Sequence, residues 1–90
     1  MMNIEKSSPT VFTPLEDGTA VLLNLNTLFY YSLNRTGAVL WQQIENGKAV
    51  TMDNLIRAVC ERFDVDEASA RRSIGEFLER LQQFKMIRIE

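Results

Sequence analysis

The chain has 90 residues, 46% of them apolar, and a formal net charge of −2, with a sequence pI near 5.1. That length fits one domain, and that apolar share is too high for a disordered chain. The weakly acidic balance argues against non-specific binding to nucleic acid or to an anionic membrane.

Residues 1–8 are polar and read as a flexible N-terminal segment, with a single domain over 9–90. Val11–Leu15 (VFTPL) is a weak strand, in which Pro14 suits an edge or a strand end. Glu16-Asp17-Gly18 is a turn signal of the Asp-Gly kind. Thr19–Leu25 (TAVLLNL) is the clearest strand. It is apolar on both parities, Val21 and Leu23 against Ala20 and Leu22, so both of its faces are expected to be largely covered. A second turn over Asn24–Thr27 leads to Leu28–Leu33 (LFYYSL), a third strand rich in aromatics. Three strands joined by short turns predict an antiparallel meander.

The period then changes. Asn34 is placed to cap a helix from about Arg35 to Asn46 that ends at Gly47, with Ala38, Leu40, Trp41 and Ile44 inward and Leu33 packing back as a staple. Thr51 caps a second helix, from about Met52 to Phe63, whose stripe is Leu55, Ile56, Val59, Cys60 and Phe63. Asp66 caps a third, to about Phe84, with Ala70, Ile74, Phe77, Leu78 and Leu81 inward. Met86–Ile89 returns as a short strand. Strands followed by helices predict an α+β fold rather than a parallel sheet.

Three segments carry a resemblance over roughly residues 16–88: LLNLNTLFYYSLNRTGAVLWQQIENGKAV, then FDVD, then IGEFLERLQQFKMI. They resemble the PqqD-like family, also called the RiPP recognition element. The most specific part is YYSLNRTGAVLW followed by a helix that ends in Gly. The resemblance implies a three-stranded antiparallel sheet followed by three helices, similar to a winged helix-turn-helix. It also implies a function without catalysis: binding the leader segment of a ribosomally made precursor peptide and presenting it to a modifying enzyme, such as a radical SAM or lasso-type maturation enzyme. In such families the peptide adds as a strand beside the third strand, with the third helix as the other wall. By that resemblance the peptide-binding residues are Leu28, Phe29, Tyr30, Tyr31 and Ser32 on the strand, and Ser69, Arg72, Ser73 and Glu76 on the helix. Two positions depart from the family pattern. The turn before the third strand usually carries Gly and a basic or polar residue, where Leu28 and Phe29 stand here. The pyrroloquinoline quinone member tends to carry Ser-Ala where Thr36-Gly37 stand, so the chain looks more like the generic branch.

Local chemistry gives many of these residues a structural reading. Asn34 is first a helix cap and only second a ligand contact. Gly37 suits close packing of the first turn of its helix, and Trp41 belongs to the core. Phe29, Tyr30 and Tyr31 are adjacent, so they point to both faces of their strand, one into the core and another toward a groove. The exposed side of the third helix reads as a solvated face, although Arg71-Arg72 suits acidic residues of a leader. Asp64, Asp66 and Glu67 read as capping and dipole compensation.

Absence of histidine removes the commonest general base and metal ligand, and no nucleophile–base pair, phosphate loop or metal spacing is present. No enzyme activity, metal or cofactor is expected. Cys60, the one cysteine, reads as inert core and fits a reducing cytosol. MMNIEKSSPT has no apolar signal core, and no apolar run approaches the ~20 residues that cross a bilayer. A cytoplasmic location follows, with no membrane partner. A DNA-binding winged-helix regulator is the alternative, since fold does not fix function. The third helix, however, is only mildly basic in an acidic chain, so no nucleic-acid partner is expected.

Overall fold

The computed structural model describes residues 3–7, 9–47 and 50–89. Three strands, β2 (Thr10–Pro14), β3 (Ala20–Asn24) and β4 (Phe29–Leu33), form an antiparallel meander in the order β2-β3-β4. Helices α1 (Arg35–Asn46), α2 (Met52–Arg62) and α3 (Glu67–Gln83) follow. A separate antiparallel pair joins β1 (Ile4–Lys6) to β5 (Ile87–Ile89).

The register explains which face of the meander is inward. Ala20 pairs with Leu33, Leu22 with Tyr31 and Asn24 with Phe29. Ala20, Leu22 and Leu33 are buried in the core with Leu40, Trp41 and Ile44 of α1. Alternation puts Val21, Leu23, Tyr30 and Ser32 on the other face. Among the described residues no helix covers that face: Val21 and Leu23 are half-buried, and Tyr30 is 67% exposed. The expectation that β3 is covered on both sides therefore holds on one side only. Among the described residues, the large apolar side chains left exposed all lie on the meander and its turns.

β1 corrects the reading of residues 1–8 as a flexible polar segment. Ile4 is fully buried, pairs with Ile89, and exchanges backbone hydrogen bonds with Val50 at 2.7 and 3.2 Å. A single apolar residue in a polar run gives no periodicity to detect, and its partners are distant in sequence. Residues 1, 2 and 8 of that segment lie outside the described residues.

The caps hold where the residue types place them. Asn34 Oδ1 accepts from Gly37 N–H at 2.8 Å, and Asp66 Oδ1 accepts from Ser69 N–H at 3.1 Å. Thr51 forms a reciprocal capping box with Asn54. Each cap satisfies a backbone donor that the helix itself leaves unpaired. All three inward stripes are buried as the spacing predicts, apart from the half-buried Cys60, Phe63 and Phe77 at their margins. α3 ends without glycine: Lys85 takes φ 60°, and Met86 N–H reaches back to Leu81 O at 2.9 Å.

Candidate functional site

The motif YYSLNRTGAVLW joins the end of β4 to the start of α1, and Arg35 within it ties that junction to the β2–β3 turn. Arg35 Nε donates to Asp17 O at 2.7 Å across the β2–β3 turn. Gly18, at φ 90°, supplies the left-handed backbone that this turn needs. Thr19 donates to the Asp17 carboxylate from both its hydroxyl and its N–H. The hydroxyl bond is the larger reason that the Asp17 pKa lies below its ordinary value. The turn is thereby tied to the first residue of α1, which fixes how β4 enters the helix.

The opposite end of β4 is held by Asn24, the one fully buried polar side chain among the described residues. Its Oδ1 accepts from Asn26 N–H at 2.9 Å and Thr27 N–H at 3.3 Å, and its Nδ2 donates to Phe84 O at 3.3 Å. One amide thus organises the β3–β4 turn and moors it to the end of α3. Leu28 closes the turn in the left-handed region at φ 61° and is 70% exposed. A non-glycine residue there costs about 1–2 kcal/mol. The strand therefore opens with an exposed apolar residue.

β4 is the edge of its sheet, so among the described residues its outer side has no strand partner. α3 runs beside it across a cleft of about 430 Å³. Tyr31, Ser32 and Leu33 form the strand side, and Asn34, Thr36 and Gly37 the end at α1. Ser73, Glu76, Phe77 and Arg80 form the α3 side over a floor that includes Leu40, Val59 and Ile74. The cleft therefore has an apolar floor, a polar rim, and one charge of each sign on α3. Aromatic rings bridge its walls: Tyr31 lies 6.5 Å from Phe77 and 5.7 Å from Phe84 between ring centroids. Phe29 and Phe84 are closer, at 4.4 Å, and meet at the far end.

Of the residues singled out from sequence, Tyr31, Ser32, Ser73 and Glu76 converge on this cleft. Leu28, Phe29, Tyr30, Ser69 and Arg72 do not line it. Leu28 belongs to the turn, Phe29 is engaged by Phe84, and Tyr30 lies on the outer face. Ser69 hydrogen-bonds the Asp66 cap with its side chain and its N–H, and these bonds hold the Asp66 pKa below its ordinary value. Arg71 is paired with Glu67 at 4.0 Å on the solvent side. Sequence reasoning assigned none of Thr36, Phe77 and Arg80 to the peptide-binding set, although Arg80 falls on the outward or flanking side of α3 by its spacing. Phe77 was legible as inward, but periodicity does not separate the margin of a stripe from its centre. No group of His, Cys, Asp and Glu able to hold a metal ion occurs among the described residues. No helix among them is long and apolar enough to cross a membrane.

Comparison with solved structures gives two close folds. One, described as TbiB1 in complex with the TbiA(beta) leader peptide, superposes with a TM-score of 0.80 at 26% identity, covering 92% of this chain and 93% of that one. The other, lasso peptide synthetase B1 complexed with the leader peptide, gives 0.76 at 20% identity, covering 94% and 96%. Comparison with curated proteins finds no match. The family described as coenzyme PQQ synthesis protein D (PqqD) matches residues 19–87, from the start of β3 into β5. The match takes in the β3–β4 turn, the motif YYSLNRTGAVLW and the whole cleft, and by it the chain belongs to the PqqD family.

Proposed function

We propose that this protein is a non-catalytic adaptor that binds the leader segment of a ribosomally made precursor peptide by strand addition and presents it to a modifying enzyme. The observation that carries this reading is the β4 edge, which among the described residues has no strand partner and lies alongside the cleft against α3. An exposed edge offers N–H and C=O groups to an extended peptide, and a neighbouring pocket for alternate side chains supplies selectivity. The opposite edge, β2, suits this less: Pro14 ends it, and a proline lacks the donor that pairing needs. Structures of similar fold were solved with leader peptides, which supports the same use here. A lasso-type maturation enzyme is the enzyme class those neighbours favour, with a radical SAM enzyme the other candidate.

Within the site, the β4 backbone over Phe29–Ser32 pairs with the peptide. Tyr31, Ser73 and Glu76 face its alternate side chains, joined by Phe77 and Arg80, and Ser32 borders the cleft at the strand edge. Leu28 sits at the entrance, and Phe29, Tyr30, Ser69 and Arg72 flank the track. The test is amide chemical-shift mapping with extended peptides selected on the chain from a displayed random library. Shifts should concentrate in residues 29–33 and 73–80. Shifts confined to α2 and β1 would overturn the assignment. Duplex DNA titrated at ~150 mM salt should give no saturable binding, whereas a specific DNA reader binds at ~10⁻⁸–10⁻¹¹ M.

A further inference from the structure

We infer that Gly37 is a specificity-determining position: by lacking a side chain it lets Phe77 lie back against α1 and so sets how bulky a peptide side chain the β4–α3 cleft admits. This inference rests on the peptide-binding reading of that cleft.

Glycine in a helix is poor economy for stability, because alanine is the better helix former at almost any interior position. Gly37 lies in the first turn of α1, buried, with its N–H held by the Asn34 cap at 2.8 Å. Its backbone takes helical conformation, so no positive φ demands glycine here. The reason lies in what stands opposite. A Cβ at this position would lie 3.3 Å from Phe77 Cε1, 3.3 Å from Asn34 Oδ1 and 3.5 Å from Leu33 Cβ. The first two distances are tighter than ordinary carbon contacts, which optimise near ~3.5–4.0 Å. Asn34 is held in place by its cap bond and Leu33 is buried. Phe77 is the partner with room to move, because it is only half-buried and borders the cleft.

The ring moves toward open space. Gly37 and Phe77 both line the cleft, and Tyr31 faces Phe77 at 6.5 Å between ring centroids. A methyl group at 37 therefore displaces Phe77 toward Tyr31 and narrows the gap between strand and helix. One methylene more or less on a ligand shifts selection in an apolar pocket by roughly 10–200-fold, and a wall displaced by only part of that width acts at the low end of the range. Alanine at 37 should thus disfavour aromatic and long aliphatic peptide side chains at the cleft and favour small ones. The backbone pairing along β4, which needs no side chain, should persist.

The experiment compares Gly37→Ala, Phe77→Leu and the double variant with the unaltered chain. Peptides are selected from a displayed random library on the unaltered chain, then the best binder and its series with Ala, Val, Leu and Phe at the cleft-facing position are titrated against all four proteins. Urea melts and ring-proton NOEs between Tyr31 and Phe77 are measured without peptide. The expected result has three parts. Gly37→Ala keeps or raises the urea midpoint, strengthens the Tyr31–Phe77 NOEs, and loses up to about tenfold in affinity for the Leu and Phe peptides but not for the Ala peptide. The double variant recovers the large peptides, because the smaller side chain at 77 restores the space. Should Gly37→Ala fail to fold, Phe77→Leu alone must broaden acceptance of large side chains, or the inference fails. Unchanged selectivity in a stable Gly37→Ala overturns the role of Gly37 while leaving the adaptor reading intact. If the unaltered chain selects no peptide at all, the adaptor reading falls and this inference with it.

Discussion

Asn34 stands at two jobs at once, and replacing it separates them. Its side chain caps α1 through a 2.8 Å bond to Gly37 N–H and also lines the end of the cleft. In Asn34→Ala the cap is lost, which costs about 0.5–2 kcal/mol. The acceptor disappears opposite a buried residue, and a buried donor left unpaired carries its desolvation cost, so the upper half of that range is expected. A domain of this size has roughly 5–13 kcal/mol in total, at ~0.05–0.15 kcal/mol per residue. A loss of ~1.3–2 kcal/mol therefore lowers the melting temperature by roughly 5–16 °C, at ~4–8 °C per kcal/mol. Asn34→Ser keeps a good cap and should restore most of the loss. Thr51→Ala removes the cap of α2, away from the cleft, and should cost a similar ~1 kcal/mol. Urea melts give the stabilities, and titration of a selected peptide gives the affinities. Peptide affinity of the folded fraction should change by less than about threefold, ~0.7 kcal/mol, in all three variants. An unchanged urea midpoint in Asn34→Ala together with collapsed affinity would show that Asn34 is a ligand contact, and the capping argument would fail.

Asn24→Ala should cost about 2–3 kcal/mol by urea melt, since it leaves two turn N–H groups and Phe84 O without their partner in a buried place; a loss below ~1 kcal/mol would show that water replaces the amide. Leu28→Gly should stabilise by about 0.5–1 kcal/mol, because relief of the left-handed strain outweighs the added chain entropy and little burial is lost; a lower urea midpoint would refute this. The pKa values of Asp17 and Asp66 are depressed below 3.8 by hydrogen bonds from Thr19 and Ser69. Their contribution to stability is therefore present above about pH 4 and is lost as pH falls through the lower folded-state values. Urea melts from pH 6 to pH 2 should show a shallower acid loss in Asp17→Asn/Asp66→Asn than in the unaltered chain; identical slopes would remove these two groups as the cause.

The helical half was the more legible part of this protein. Asn34, Thr51 and Asp66 act through donors three residues away, and an inward stripe repeats within one helix, so both signals are local. The meander was legible for the same reason, its strands being joined by short turns marked by Asp17-Gly18 and by Asn24–Thr27. Tertiary structure decided the rest. The pairing of Ile4 with Ile89 joins the two ends of the chain, and no local pattern announces a strand of three residues with one apolar member. Asn24 looks like any turn asparagine until Phe84 O arrives from α3 to make it a mooring. Leu28 carries no sign of its left-handed backbone, because the strain is imposed by the turn that Asn24 holds. The cleft depends most on the third dimension. It exists because α3 crosses beside an edge strand, and that crossing brings Phe77 and Arg80 to Tyr31 while leaving Tyr30, its neighbour in sequence, on the opposite face. Alternation along a strand tells which residues share a side; only the packing of a distant helix tells which side becomes a site.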